Sequence, residues 1–500
     1  IGLHSFRDCK SLTQIVIPSL VTEIGIQAFD NCISLTKVVI QSTSNVVISE
    51  NSFRGCLSLI EITIPDSVTE ISMNAFSGCK SLKRIEIPSS VTEIGESAFR
   101  DCSSLSEVEI QSPITKLKKS IFNNCSSLKK INIPSTVTVI EEYCFYFCSS
   151  LETINIPNEV TILKESSFKL CSSLKEIFIP TRISSIEKFT FEGCSSLTKI
   201  TIPSTVETIE NSCFKDCSSL KEIVIPSTVT AICKDSFNGC SSLIKITIPS
   251  TVKRVGKRSF KFCTSIHEIN IDPYQTLVNS SAFENCTSLE HLNINTNETS
   301  IGKIDMTPYS NITTVTIPST VTSIEESAFK GCSTIKKVRI PQGVRSICAF
   351  SFCGCCSLEE VEIPSSTSFV GIFAFSGCTS LSRVVIPDTV TFIGQSAFVG
   401  CKSLKSVTLP PSITTVYDST FSGCSSLTFI ELPPSVTSLK NSAFSGCSSL
   451  ARIEIPKSLS SIGQSCFYGC TSLHEIQIPA SIVHIESHTF RKCTLLHDVT

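Results

Sequence analysis

The residues with the most chemical potential in this chain are its cysteines and histidines, 28 and seven respectively in 500 residues. The densest group is Ile347-Cys-Ala-Phe-Ser-Phe-Cys-Gly-Cys-Cys356, which places Cys348, Cys353, Cys355 and Cys356 within nine residues. Thiolates at that density are the ligand type for zinc, yet the spacing lacks the paired C-x-x-C knuckles that close a structural site. Cys355 also belongs to a chain-wide column, described below, that accounts for it without a metal. His474 and His497 lie 23 residues apart, and His484 and His488 between them. Two imidazoles hold a metal weakly, and no third ligand column accompanies them. Nucleophilic chemistry has no support: the chain lacks G-x-S-x-G, H-E-x-x-H, the phosphate-binding loop and the dinucleotide glycine fingerprint. The many serines sit in C-S-S-L turns, where hydroxyls satisfy local backbone groups, and no histidine column accompanies them. The reading is no catalytic, cofactor-binding or metal-binding residue.

What positions all these side chains is a repeat. The stretch from Ile202 to Pro226, IPSTVETIENSCFKDCSSLKEIVIP, recurs almost every 23 residues with Phe214 and Cys217 as its markers. The F-x-x-C pair runs from Phe6 to Phe283, resumes at Phe329 and continues to Phe490, and contains 21 of the cysteines. A fixed period of this length signals stacked units sharing one core. Within a unit, Leu220-x-x-Ile223-x-Ile225 alternates like a strand and Pro226 ends it, since proline cannot donate to a ladder. Val229 and Ile232 supply a second, shorter apolar segment. Ser236 to Cys240 is too short for an independent helix and is expected to make one helical or 3₁₀ turn, with Gly239 easing its exit. One thiol per unit pointing into the core behaves as a small buried hydrophobe, so the cysteines are expected to be free.

Composition narrows the classes. Hydrophobic residues are 41% and charged residues 17%, which describes a packed chain. A net charge of -2 leaves no surplus for nucleic-acid phosphates, and no apolar run suffices to enter a membrane. The chain reads as one continuous solenoid over 1–500, of about 22 repeats of 23 residues. It is irregular at 41–49, where the proline is lost and one residue is added, and at 272–309, where Met306 and Tyr309 stand in register for Phe and Cys. Tyr309 exceeds a cysteine slot, so that turn is expected to bulge or to point the ring outward. Both ends begin and stop inside a repeat and look truncated.

The position eight after each Phe reads Lys37, Glu61, Arg84, Glu107, Lys130, Thr153, Glu176, Lys199, Glu222, Lys245, Glu268, and the alternation returns at Lys337, Glu360 and Arg383. Side by side on parallel strands, these charges neutralise one another, which favours sheet stability over a polyanion groove. Where the outward columns turn apolar or aromatic, a protein-binding patch becomes the reading. Phe178 and Val224 flank Thr201 in one column; Phe429 stands beside Arg452 and near Glu431; Tyr309 marks the irregular turn. Sequons at Asn297 and Asn311 are placed to be accessible.

The segments Leu220-Lys-Glu-Ile-Val-Ile-Pro226, Val229, Ile232, Phe237 and Cys240 resemble the BspA-like, Treponema-type leucine-rich repeats, and the resemblance spans essentially the whole chain. It implies a leucine-rich-repeat horseshoe with a parallel β-sheet on the concave face and short strand, 3₁₀ or helical turns on the convex side. It also implies a non-catalytic, protein-binding surface antigen or adhesin, contacting extracellular-matrix or cell-surface proteins from the cell surface or as a secreted protein. The same geometry suits an intracellular, cytoplasmic scaffold for protein partners, and that alternative stays open.

Overall fold

A computed structural model describes residues 1–500 as two compact units, residues 1–267 with 275–289, and residues 268–274 with 290–500. In each unit the chain winds in successive coils, and every named strand is paired in parallel with its neighbours one coil away. Most coils carry one strand, usually the longer, on the L-x-x-I-x-I segment and a second, usually shorter, on V-x-x-I. In the first unit the longer strands include Gln14–Ile17, Lys37–Ile40 and Glu61–Thr63, and the shorter ones Glu23–Ile24, Val46–Ile48, Val68–Ile71 and Glu93–Ile94. In the second unit the longer strands run from Glu268–Ile271 through His291–Ile294, Thr314–Thr316, Lys337–Arg339 and Glu360–Glu362 to Arg383–Val385.

The A-F-x-x-C segment forms a third ladder without being a strand or a helix. Around Phe214, alternate amides bond to the next coil: Ser212 to the Lys234 carbonyl (2.9 Å), Phe214 to Ser236 (2.7 Å) and Asp216 to Asn238 (2.7 Å). The amides between them close tight turns, Cys213 to Glu210 (3.3 Å), Lys215 to Ser212 (3.2 Å) and Cys217 to Phe214 (3.3 Å). This alternation requires left-handed backbone at two residues per coil, here Ser212 (φ 54°) and Asp216 (φ 60°), and Asp235 (φ 56°) and Gly239 (φ 80°) in the next. Glycine, asparagine and aspartate tolerate that region best, which explains their recurrence two residues after most of the ladder Phe residues. It also excludes a helix. The only helical turn is a 3₁₀ segment, Thr307–Tyr309.

The core lies between the three ladders. The ladder rings from Phe29 to Phe260 and from Phe329 to Phe467 are fully buried, and consecutive rings stack with centroids 5.0–5.7 Å apart within each unit. All 28 cysteines are free thiols, and most are buried. Nineteen of the 21 ladder thiols donate to the carbonyl of the Phe one coil earlier, at 3.0–3.3 Å, as Cys240 does to Phe214 (3.2 Å). Cysteine suits this column because it fills a small apolar site while offering one weak donor. Burial pushes the Cys194 and Cys424 thiols up to about 12.

Both irregularities have a local explanation. Between 40 and 47 the offset to the preceding coil rises from 23 (Ile17 against Ile40) to 24 (Glu23 against Val47), and a register shift at Val46/Val47 takes up the added residue. Gln41, standing where proline is usual, donates its amide to the Ile17 carbonyl (2.9 Å). At 304–310 the expectation for Tyr309 is corrected: the residue is 2% exposed, not turned outward. The 3₁₀ turn replaces the A-F-x-x-C path, closed by the Asp305 carboxylate accepting the Thr307 amide (2.9 Å) and by the Tyr309 amide donating to Met306 (2.9 Å). A tighter turn swings the large ring into the core and leaves Met306 half-buried.

Candidate protein-binding surface

The longer strands expose two residues per coil, separated by one buried residue, because side chains alternate across a pleat. In the first unit Ile177 and Ile200 are buried while Glu176, Phe178, Lys199 and Thr201 face out. Phe178 is 52% exposed, sits in register with Thr201, and lines a shallow groove of about 470 Å³ with Asn132, Asn155 and Lys199. Val224, one coil beyond Thr201 in the same column, is 79% exposed. The segment carrying it keeps the in–out alternation, with Ile223 and Ile225 buried, without strand hydrogen bonding to its neighbours.

In the second unit Phe429 is 45% exposed on the strand Phe429–Glu431, paired with Ser406–Thr408. Glu431 bridges to Glu454 on the next coil. The Arg452 guanidinium bonds to Glu454 (3.2 Å) and lies 3.8 Å from Glu475, so it serves the carboxylates rather than the phenyl ring. The structure thus brings Phe429, Glu431 and Arg452 to one patch and Phe178 and Val224 to another, and removes Tyr309 from the surface.

The charge column forms ion pairs at Lys37–Glu61 (3.3 Å), Arg84–Glu107 (3.8 Å) and Lys337–Glu360 (3.1 Å). All six side chains are more than half exposed, so each pair contributes little. On the flanking column Lys175 donates to Glu152 (2.9 Å), and that hydrogen bond holds the Glu152 carboxyl below its usual range. The cysteine-rich segment does not converge: Cys355 donates to Phe329, Cys356 to Ser333 (3.8 Å), and Cys348 lies 3.8 Å from the Ser323 hydroxyl. His474 and His497 stack on adjacent coils with ring centroids 6.2 Å apart.

Two surface features escape a reading one column at a time. Lys336, Lys337 and Arg339 form an all-basic coil face beside the all-acidic Glu359, Glu360 and Glu362, bordering a groove of about 430 Å³. On the shorter strands Phe369 and Phe392 stack at 5.0 Å, and Tyr417 continues the stripe at 5.3 Å. Aligning repeats six residues before each ladder Phe would have exposed Phe369 and Phe392, though not Tyr417.

Parallel coils with a leucine-ended turn, an L-x-x-I-x-I strand and almost no helix define a leucine-rich-repeat solenoid. The BspA type leucine-rich repeat region, a six-copy family profile, matches residues 1–128, 98–221, 184–304, 305–428 and 414–500. The chain belongs to that family. No curated protein matches it. Among solved structures it is similar to a leucine-rich repeat protein from Bacteroides ovatus, at 22% identity over 98% of this chain and 92% of that one, with a TM-score of 0.38. It is also similar to the pneumococcal vaccine antigen PcpA (20% identity, 59% and 87% covered, TM-score 0.43). A third is a leucine-rich cell surface protein from Faecalibacterium prausnitzii (23% identity, 88% of each chain, TM-score 0.26). No helix is long and apolar enough to cross a membrane.

Proposed function

We propose that this chain is a non-catalytic recognition solenoid that docks partner proteins on its longer-strand face, acting in adhesion at the cell surface. The observation that carries the reading is the Phe178–Thr201–Val224 column, where an exposed aromatic and an exposed aliphatic flank a hydroxyl beside a shallow, hydrogen-bonding groove. Rigid aromatic anchors beside polar groups are what protein interfaces concentrate. The Phe429–Glu431–Arg452 patch is the second contact region, and several such contacts on one chain add avidity.

A second reading, an intracellular scaffold, is favoured by one observation. A buried column of S–H donors suits a reducing compartment.

The test is surface plasmon resonance of the folded chain against a panel of purified extracellular-matrix proteins. Phe178→Ala with Val224→Ala, and separately Phe429→Ala with Arg452→Ala, are expected to weaken saturable binding by about 30-fold or more, the loss of a hot spot of about 2 kcal/mol. Binding unchanged in both variants removes these patches from the interface. Capture of cytosolic proteins alone, with no matrix binding, favours the scaffold.

A further inference from the structure

Only two ladder thiols lack the Phe carbonyl acceptor. One is Cys9, which is exposed. Cys332 follows the irregular turn, where Met306 replaces the Phe whose carbonyl would accept its proton. The same replacement opens a space. Glycines 354, 377, 400, 423, 446 and 469 each lie against the preceding coil, at 3.5–3.9 Å from where a Cβ would sit, but a Cβ at Gly331 would meet nothing within 4 Å. A groove of about 660 Å³ runs there, lined by Lys303, Asp305, Met306, Lys330, Gly331 and Cys332, among others. Cys332 is 6% exposed where most ladder thiols are fully buried.

Its neighbour in the column is Cys355, and the backbones between them are tied coil to coil: Phe329 donates to the Ser351 carbonyl and Gly331 to Cys353, both at 2.7 Å. Coils paired in this way stand about 4.8 Å apart, inside the Cα separation that a disulfide spans.

We propose that Cys332 and Cys355 form a peroxide-sensitive dithiol, in which Cys332 takes the oxidant from the groove and Cys355 resolves it. In the reduced pair the Cys355 thiol donates to the Phe329 carbonyl (3.1 Å). When Cys332 ionises, the Cys355 S–H turns to it, and that hydrogen bond lowers the Cys332 pKa against the opposing effect of burial. Lys303, Asp305 and Lys330 line the same groove.

The sulfur of Cys332 attacks one oxygen of hydrogen peroxide. An S–O bond forms, the O–O bond breaks, and the departing hydroxide leaves as water after taking a proton. The sulfur of Cys355 then displaces the sulfenic hydroxyl: the S–S bond forms, the S–O bond breaks, and that oxygen, already carrying its own hydrogen, leaves as water with the Cys355 proton. Two electrons pass from the two thiols to one peroxide. The product would link the first two regular coils after the irregular turn.

The experiment is to treat the folded chain with a small excess of hydrogen peroxide, block remaining thiols by alkylation, and map disulfides by mass spectrometry. The Cys332–Cys355 link is expected to form at least about tenfold faster than a Cys378–Cys401 link, whose thiols have the same spacing but no groove. Cys355→Ser should leave Cys332 as a sulfenic acid trapped by dimedone, and Cys332→Ser should leave Cys355 reduced. The proposal is overturned if the wild-type pair stays reduced while exposed Cys9 oxidises, if Cys378–Cys401 links as fast, or if Cys355 pairs with Cys353 or Cys356 instead.

Discussion

Replacing Phe214 with alanine tests the stacked core directly. Phe214 is fully buried, with its ring between Phe191 (5.6 Å) and Phe237 (5.3 Å). Its backbone carbonyl, which accepts the Cys240 thiol, is untouched by the substitution, so the change isolates the ring. Removing a buried phenyl costs about 3–5 kcal/mol where the site cannot collapse, and hydrogen-bonded coils on both sides prevent collapse here. In a repeat array each coil touches only its neighbours, so the loss falls on the coils around Phe214 rather than on the whole chain. Three to five kcal/mol corresponds to a rise of about 10²–10⁴ in the local opening equilibrium. Hydrogen exchange read by mass spectrometry should therefore accelerate by that factor over peptides containing Ser212, Phe214 and Asp216 and their partners one coil away. Distant coils should be unaffected. Phe178→Ala is the control, because the same ring removed from the exposed strand face should change exchange by less than about threefold. Equal effects from the two substitutions, or none from Phe214→Ala, would refute the assignment of the ladder to the core.

The strand-face charges make a weaker and salt-dependent contribution. Glu360→Lys removes the 3.1 Å pair with Lys337 and sets a third cation between Lys337 and Arg383; it should cost about 0.5–1 kcal/mol at low salt and much less at 1 M salt, read by urea denaturation. The buried thiols make stability pH-dependent on the alkaline side. A thiol held at about 12 when folded and at 9.0 when unfolded, as at Cys194, contributes fully below pH 9. That contribution is lost as pH rises from 9 towards 12, since only the unfolded chain releases the proton there. Cys194→Ala should therefore flatten the fall in stability by about 1.4 kcal/mol per pH unit between about pH 9.5 and 10.5, and an unchanged slope would contradict burial of that thiol.

What the sequence discloses and what it conceals follow from the same periodicity. A coil of 23 residues can bury its apolar edges only against copies of itself, so Phe214, Cys217, Leu220, Ile223 and Ile225 state the fold through recurrence alone, and each is buried. The turn was less legible. Its left-handed residues are mostly glycine, serine, asparagine and aspartate, whose types suit a helix cap as well as an alternating ladder, and only the coil-to-coil amide bonds distinguish the two. Tyr309 shows the limit of reasoning by slot. Register placed it in a cysteine position, but register presumes the regular backbone path, and the 3₁₀ turn abandons that path and buries the ring.

The surface is concealed for a further reason. Outward positions are freed from packing, so their identities vary from coil to coil, and a patch arises across columns rather than within one. Phe369, Phe392 and Tyr417 meet although Tyr417 stands two residues out of the column, because a long aromatic side chain reaches a diagonal neighbour. Arg452 is adjacent to Phe429 in register, yet its guanidinium goes to Glu454 and Glu475 because a carboxylate is the stronger partner for an exposed cation. Breaks in the repeat carry different information. The 3₁₀ turn at Met306 takes the carbonyl acceptor and one coil contact away from the next coil together, and opens a groove beside the buried Cys332. In a chain where recurrence specifies the core, the departures from recurrence are where a side chain is released for chemistry.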